Sequence, residues 1–288
     1  MACTTMARRN VLQLAAYGTA LACGPASSEE PSDGGSGSTS LTTVETDSAS
    51  ESTSDNECPD IFAGDLIIRE ATDVAQFARL GMVAGDLRLV DTAHEDLGFL
   101  ACLSEVSGTI NITRNENLRT LVGLEHLSRA GEIWLTSNPK LQSARALDGV
   151  ESLDGLIVLS SPALSELGLN SLTSIDMIQL GDCGVDPDEV APGIELSLTE
   201  IDGFANLETA RYLRIAGQYA LESLGPLLDV QPPPGGSGSD FFNNHSLPYE
   251  EVETILGRFG GNSCGNFDDP DPLCSESRSF AACIAPPP

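Results

Sequence analysis

Six cysteines, Cys58, Cys102, Cys183, Cys264, Cys274 and Cys283, are the residues of this chain with the most evident chemistry. In an exported domain six thiols close up to three disulfides, in a connectivity that spacing alone leaves open. Zinc ligation needs paired ligands at short spacing, and no C-x-x-C or paired His accompanies them, so no metal is expected there. Two acidic runs, Asp182, Asp186, Asp188 and Asp268, Asp269, Asp271, have the oxygen ligands that calcium favours. Neither follows the EF-hand loop, and a chain with 43 acids against 14 bases clusters some by chance, so they read as solvated loop acids. The histidines, His94, His126 and His245, fall in separate segments. There is no G-x-S-x-G elbow and no phosphate-cradling glycine loop. No catalytic residue and no cofactor is expected.

What remains is a surface. The net charge of −29 argues against nucleic acid or an anionic membrane held through a basic patch. From Gly64 onward the chain repeats a five-residue unit. Gly64-Asp65-Leu66-Ile67-Ile68 recurs as Gly85-Asp86-Leu87-Arg88-Leu89, Gly108-Thr109-Ile110-Asn111-Ile112 and Gly131-Glu132-Ile133-Trp134-Leu135. It continues as Gly155-Leu156-Ile157-Val158-Leu159, Asp176-Met177-Ile178-Gln179-Leu180 and, past an insertion at 181–209, Arg211-Tyr212-Leu213-Arg214-Ile215. A period in the twenties with one short strand per unit marks stacked coils. The third and fifth positions are Leu or Ile and the fourth varies, so each strand should bury two side chains and expose the one between. That sets Arg88, Asn111, Trp134, Val158 and Gln179 side by side on an open face, with no acid among them. The lone tryptophan amid amides and an arginine has the composition of an interface centre and suits stacking on a sugar ring.

The elements that position this face follow from two further patterns. Leu97-Leu100-Leu103-Val106, Leu118-Leu121-Leu124-Leu127 and their counterparts step by three, which favours short 3-10 turns over a long α-helix. Asn115, Asn138 and Gln218 each fall three positions past an inward strand residue, where stacked side-chain amides can satisfy the backbone at a corner. The fold class is therefore mostly β: a right-handed parallel β-solenoid of about seven to eight coils with short 3-10 or α returns. Disulfides best staple its exposed first and last coils, Cys58 with Cys102 at the first, and two of Cys264, Cys274 and Cys283 at the last with the third reaching Cys183. The Gly-Gly-Ser-Gly-Ser run at 235–239 reads as a loop.

The unit G-x-[LI]-x-[LI], then Asn, then Leu at threes resembles the receptor L-domain, a leucine-rich-like β-solenoid, and more closely its version in myxobacterial-type surface lipoproteins. The resemblance covers about residues 58 to 256. Phe241-Phe242-Asn243-Asn244-His245-Ser246-Leu247-Pro248 and the following Tyr249-Glu250-Glu251-Val252-Glu253-Thr254-Ile255-Leu256 resemble the last strand and capping helix of that group. It implies binding or adhesion and carries no shared catalytic residues. Residues 1–22 read as an export signal: Arg8 and Arg9 precede an apolar stretch at 11–21, and Ala20-Leu21-Ala22-Cys23 resembles a bacterial lipobox, with Cys23 the lipidated residue. Residues 23–57 read as the lipidated Cys and a disordered tether, with 15 Ser or Thr among the 34 residues after Cys23. Residues 58–262 are the expected solenoid and 263–288 a Cys-rich cap and tail. The expectation is an outer-membrane or cell-surface module, lipid-anchored, that binds an unknown envelope protein or glycan. A glycoside-active solenoid enzyme and a structural spacer are the alternatives.

Overall fold

The computed structural model describes residues 58–181 and 198–264. In chain order its strands are β1 (Asp60–Phe62), β2 (Leu66–Ile68), β3 (Leu80–Val83), β4 (Leu87–Val90), β5 (Glu105–Val106), β6 (Ile110–Thr113) and β7 (Arg129–Ala130). They continue as β8 (Glu132–Thr136), β9 (Gly155–Leu159), β10 (Ser174–Leu180), β11 (Thr209–Ala216) and β12 (Gly238–Phe242). A helix, α1 (Tyr249–Phe259), precedes β13 (Gly261–Cys264). The fold is mostly β and the sheets are parallel. A larger sheet runs β2-β4-β6-β8-β9-β10-β11-β12-β13, and a smaller one β1-β3-β5-β7.

Alternation decides which side chains each strand buries. Leu87 and Leu89, Ile110 and Ile112, Ile133 and Leu135, Ile178 and Leu180, and Leu213 and Ile215 all face the core and are buried. In β12 the same two places hold Ser239 and Phe241; the Ser239 hydroxyl donates to the Gly260 carbonyl at 2.8 Å, so its burial leaves no open polar group. Between strands the leucines at steps of three form 3-10 turns at Val74–Phe77, Gly98–Leu100, Arg145–Leu147 and Gly225–Asp229. Leu100 N–H donates to Leu97 and Leu103 N–H to Leu100, at 2.7 and 2.8 Å, so a leucine every third residue keeps returning to the core side. The helix α1 begins after Pro248 and buries Val252, Ile255 and Phe259.

The corner polar residues are buried, and they are more numerous than the sequence pattern suggested: Thr92, Asn115, Asn138, Ser161, Gln218 and Asn244. Each sits one residue after a left-handed turn residue, as with Arg114 (φ 57), Ser137 (φ 56) and Asn243 (φ 56). That turn reverses the chain, and the buried side chain then occupies the backbone groups it exposes. Cys58 and Cys102 are joined as a disulfide. Cys183, Cys274 and Cys283 lie outside the described residues, as do both acidic runs, Cys23 and all of residues 1–57.

One register differs from the sequence reading. Leu156 pairs with Ile133, Ile157 with Trp134 and Val158 with Leu135. Val158 therefore faces inward and is fully buried, and Ile157 takes its place in the outward row. Aligning Gly155 with Gly131 shifts this strand by one residue, which exchanges its faces. Gly155 instead pairs with Glu132. The strand's buried pair, Leu156 and Val158, keeps the 23-residue spacing from Ile133 and Leu135. Residues 235–239 also differ from a plain loop, since Gly238 and Ser239 open β12.

Candidate functional face

Pairing across the larger sheet sets nine residues in one outward row: Ile67, Arg88, Asn111, Trp134, Ile157, Gln179, Arg214, Asp240 and Asn262. Arg88, Asn111 and Trp134 are immediate neighbours as expected. Gln179 is in the row but separated from Trp134 by Ile157. Asp240 corrects the expectation of an acid-free row: the last strand, expected from Phe241, begins earlier, at Gly238, and so takes in Asp240.

The row divides into two halves. At the N-terminal side Ile67 and Arg88 are exposed, while Asn111 and Trp134 are half-buried. Further along, Ile157, Leu159, Ala216 and Phe242 are buried, yet they belong to no part of the main core. Alternation sets them on the outward side of the sheet. Asp240, 8% exposed, lies in this half. Its carboxylate accepts from the Tyr212 hydroxyl and, at 3.0 Å, from the Asn262 amide. Burial, then the bond to Asp240, pushes the Tyr212 phenol well above its ordinary value. Gly238 leaves room for the ring, because a Cβ there would stand 3.1 Å from Tyr212 Cε2.

In the open half, neighbouring side chains on one strand orient each other. Arg88 Nη2 meets Asp86 Oδ2 at 2.9 Å, the Thr113 hydroxyl donates to Asn111 Oδ1, and the Trp134 indole N–H donates to Glu132 Oε2 at 2.7 Å. Burial raises the Asp86 pKa, but the Thr109 N–H and Arg88 more than offset it and hold the group below the usual carboxylate range. Among the described residues no hydrogen bond engages the Asn111 amide nitrogen or Glu132 Oε1.

The histidines do not converge on a site. His94 packs on Phe99 and His245 on Tyr219, with ring centroids 4.9 and 4.7 Å apart. Among the described residues no three His, Cys, Asp or Glu side chains form a metal-holding group, and no helix is long and apolar enough to cross a membrane. A shallow depression lined by Glu151, Ser171, Thr173, Asn206 and Glu208 has two carboxylates, both on exposed residues, and no buried acid beside them to act as a proton donor.

No protein-family model, curated protein or solved structure matches this chain.

Proposed function

We propose that the chain is an envelope-anchored binding or adhesion module that recognises a protein or glycan through the open half of the larger sheet. The observation that carries this reading is the in-register row Arg88, Asn111 and Trp134, where an aromatic ring, an amide and a cation stand on adjacent strands with bonding capacity left over. Side chains already held by strand neighbours lose little freedom on binding, which favours affinity. Catalysis has less support. Glycoside cleavage uses two carboxylates flanking one bond, one of them protonated; Glu132 stands beside Trp134, but the other acid of the open half, Asp86, is two strands away and held ionised by the Thr109 N–H and Arg88.

The reading includes the architecture expected for a receptor L-domain-like right-handed solenoid. One strand of the larger sheet per repeat supports it, because a parallel neighbour needs a crossover, and such crossovers are right-handed. Nine strands bound eight intervals, in keeping with seven to eight coils. The Cys58–Cys102 bridge supports a stapled first cap. Residues 1–22 act as the export signal, Cys23 carries the lipid, and residues 23–57 tether the domain. The anchor is tested by Cys23→Ala, which should leave the membrane fraction or accumulate unprocessed; processed, membrane-bound variant overturns it.

The face is tested by charge. Arg88→Glu combined with Asn111→Arg should abolish retention of the full chain on envelope fragments of its source cell. Arg119→Glu, an exposed site outside both sheets, should leave retention unchanged. Equal retention of both variants overturns the assignment.

A further inference from the structure

Taking that face as the binding surface, we infer that its ligand is a neutral saccharide that lies on Trp134 and shares vicinal hydroxyls between Glu132 and Asn111. Three observations select this chemistry. The first is the indole itself, half-buried and fixed by its N–H bond to Glu132 at 2.7 Å. A fixed aromatic plane binds the C–H face of a sugar ring without an ordering cost.

The second is the pairing of one acceptor with one donor. Glu132 uses Oε2 for the indole and keeps Oε1 open, while Asn111 uses Oδ1 for Thr113 and keeps its amide nitrogen open. Asn111 and Trp134 are cross-strand partners, about 4.8 Å apart along the sheet. A sugar ring on the indole therefore reaches a carboxylate that accepts from one hydroxyl and an amide that donates to the next. A diol is the group that both gives and takes at adjacent positions.

Charge is the third. The chain carries −29 overall, and the cation nearest in the row, Arg88, is already paired with Asp86 at 2.9 Å. Nothing at this spot draws an anion, and Glu132 repels one. A protein partner wants a desolvated apolar centre, but here Ile157 is buried and Trp134 stands among polar neighbours, with Thr136 on its own strand and Asn111 beside it.

Trp134 is the only tryptophan, so its fluorescence reports the site directly in the full chain. The probe is an envelope-fragment suspension from the source cell in three forms: untreated, oxidised with periodate, which cleaves vicinal diols, and digested with protease. Cellohexaose, chitohexaose and maltohexaose serve as defined neutral ligands. The expected result is a blue shift and loss of iodide quenching with untreated and protease-digested fragments, and no change with the oxidised form. At least one hexasaccharide should reproduce the shift. Asn111→Ala and Glu132→Gln should weaken retention on fragments by about tenfold each, the range for losing one hydrogen bond to a charged or rigid partner. Trp134→Ala should weaken it by about thirtyfold or more, with Trp134→Phe intermediate. Binding destroyed by protease and spared by periodate overturns the saccharide and leaves the face assignment standing. Binding unaffected by Trp134→Ala and by Arg88→Glu overturns both.

Discussion

Asn138 holds Asn115 twice. Its Oδ1 accepts the Asn115 backbone N–H at 3.1 Å and the Asn115 side-chain amide at 3.2 Å, while its own amide donates back to the Ile112 carbonyl at 2.8 Å. The two residues are 23 apart in sequence and both fully buried. Asn115 repeats the arrangement one step earlier, accepting from the Thr92 N–H and hydroxyl and donating to Leu89. These buried polar groups are satisfied by one another and by strand carbonyls, so the cost of breaking one link is the desolvation of everything it served.

Asn138→Ala should therefore cost about 3 kcal/mol or more, because two N–H donors and one carbonyl lose their partner at once. Urea unfolding measures it. Ser161→Ala should cost about 1 kcal/mol, since Ser161 supports one N–H at 3.4 Å and returns one bond to Leu159. Equal losses would mean that Asn138 acts through packing alone.

Left-handed turn residues make the opposite prediction. Ser137 and Ser160 adopt φ of 56 and 48 degrees, a conformation that a Cβ disfavours. Ser137→Gly should raise stability by about 0.5 kcal/mol, the strain relieved less the added freedom of glycine in the unfolded chain. Gly123 is the reverse case. At φ 111 its added Cβ would lie 2.0 Å from the Leu97 carbonyl oxygen, so Gly123→Ala should lower the thermal midpoint sharply. Calorimetry on the pair checks both signs.

Much of this was legible in the residues. Alternation around Arg88, Asn111 and Trp134 fixed three strands and their outward row, and leucines at threes gave the 3-10 turns. The pattern failed where composition departed from leucine and isoleucine. At β9 four apolar residues in a row carry no alternation, and Gly155 suggested the wrong frame by one. Spacing held the answer: Asn138-Pro139 and Ser161-Pro162 are also 23 apart. At β12 the inward pair is Ser239 and Phe241, and a buried serine gives no periodic signal, so Asp240 was missed together with Asn262 beyond it. The corner residues Thr92, Ser161 and Asn244 were missed or unused because their types vary while their backbone role is constant.

The Cys58–Cys102 bridge closes a loop of 44 residues at the N-terminal end of both sheets. Among the described residues the short edge strands β1 and β2 there have no neighbour on one side, and Ile61 and Ile67 are exposed. Replacing both cysteines by serine should cost about 4 kcal/mol, the range for a loop of that size. Fraying should begin at this end, seen as faster amide exchange of residues 60–68 than of Ile133 or Leu135.

Tyr212 and Asp240 give the chain an alkaline limit. The Tyr212 phenol donates to the Asp240 carboxylate in a buried setting, and its pKa is raised above the ordinary tyrosine value of about 10. Above that pH the unfolded chain releases the Tyr212 proton while the folded chain keeps it. The folded state then binds more protons than the unfolded one, so stability falls as pH rises past about 10 and is unaffected by this group below it. Tyr212→Phe should cost about 1–2 kcal/mol at neutral pH, because Asp240 loses a donor. Its thermal midpoint should then decline less steeply than the parent's from pH 9 to 11, the other three tyrosines being common to both. Parallel curves would mean that Tyr212 titrates normally and that the outward side of β12 is open to water.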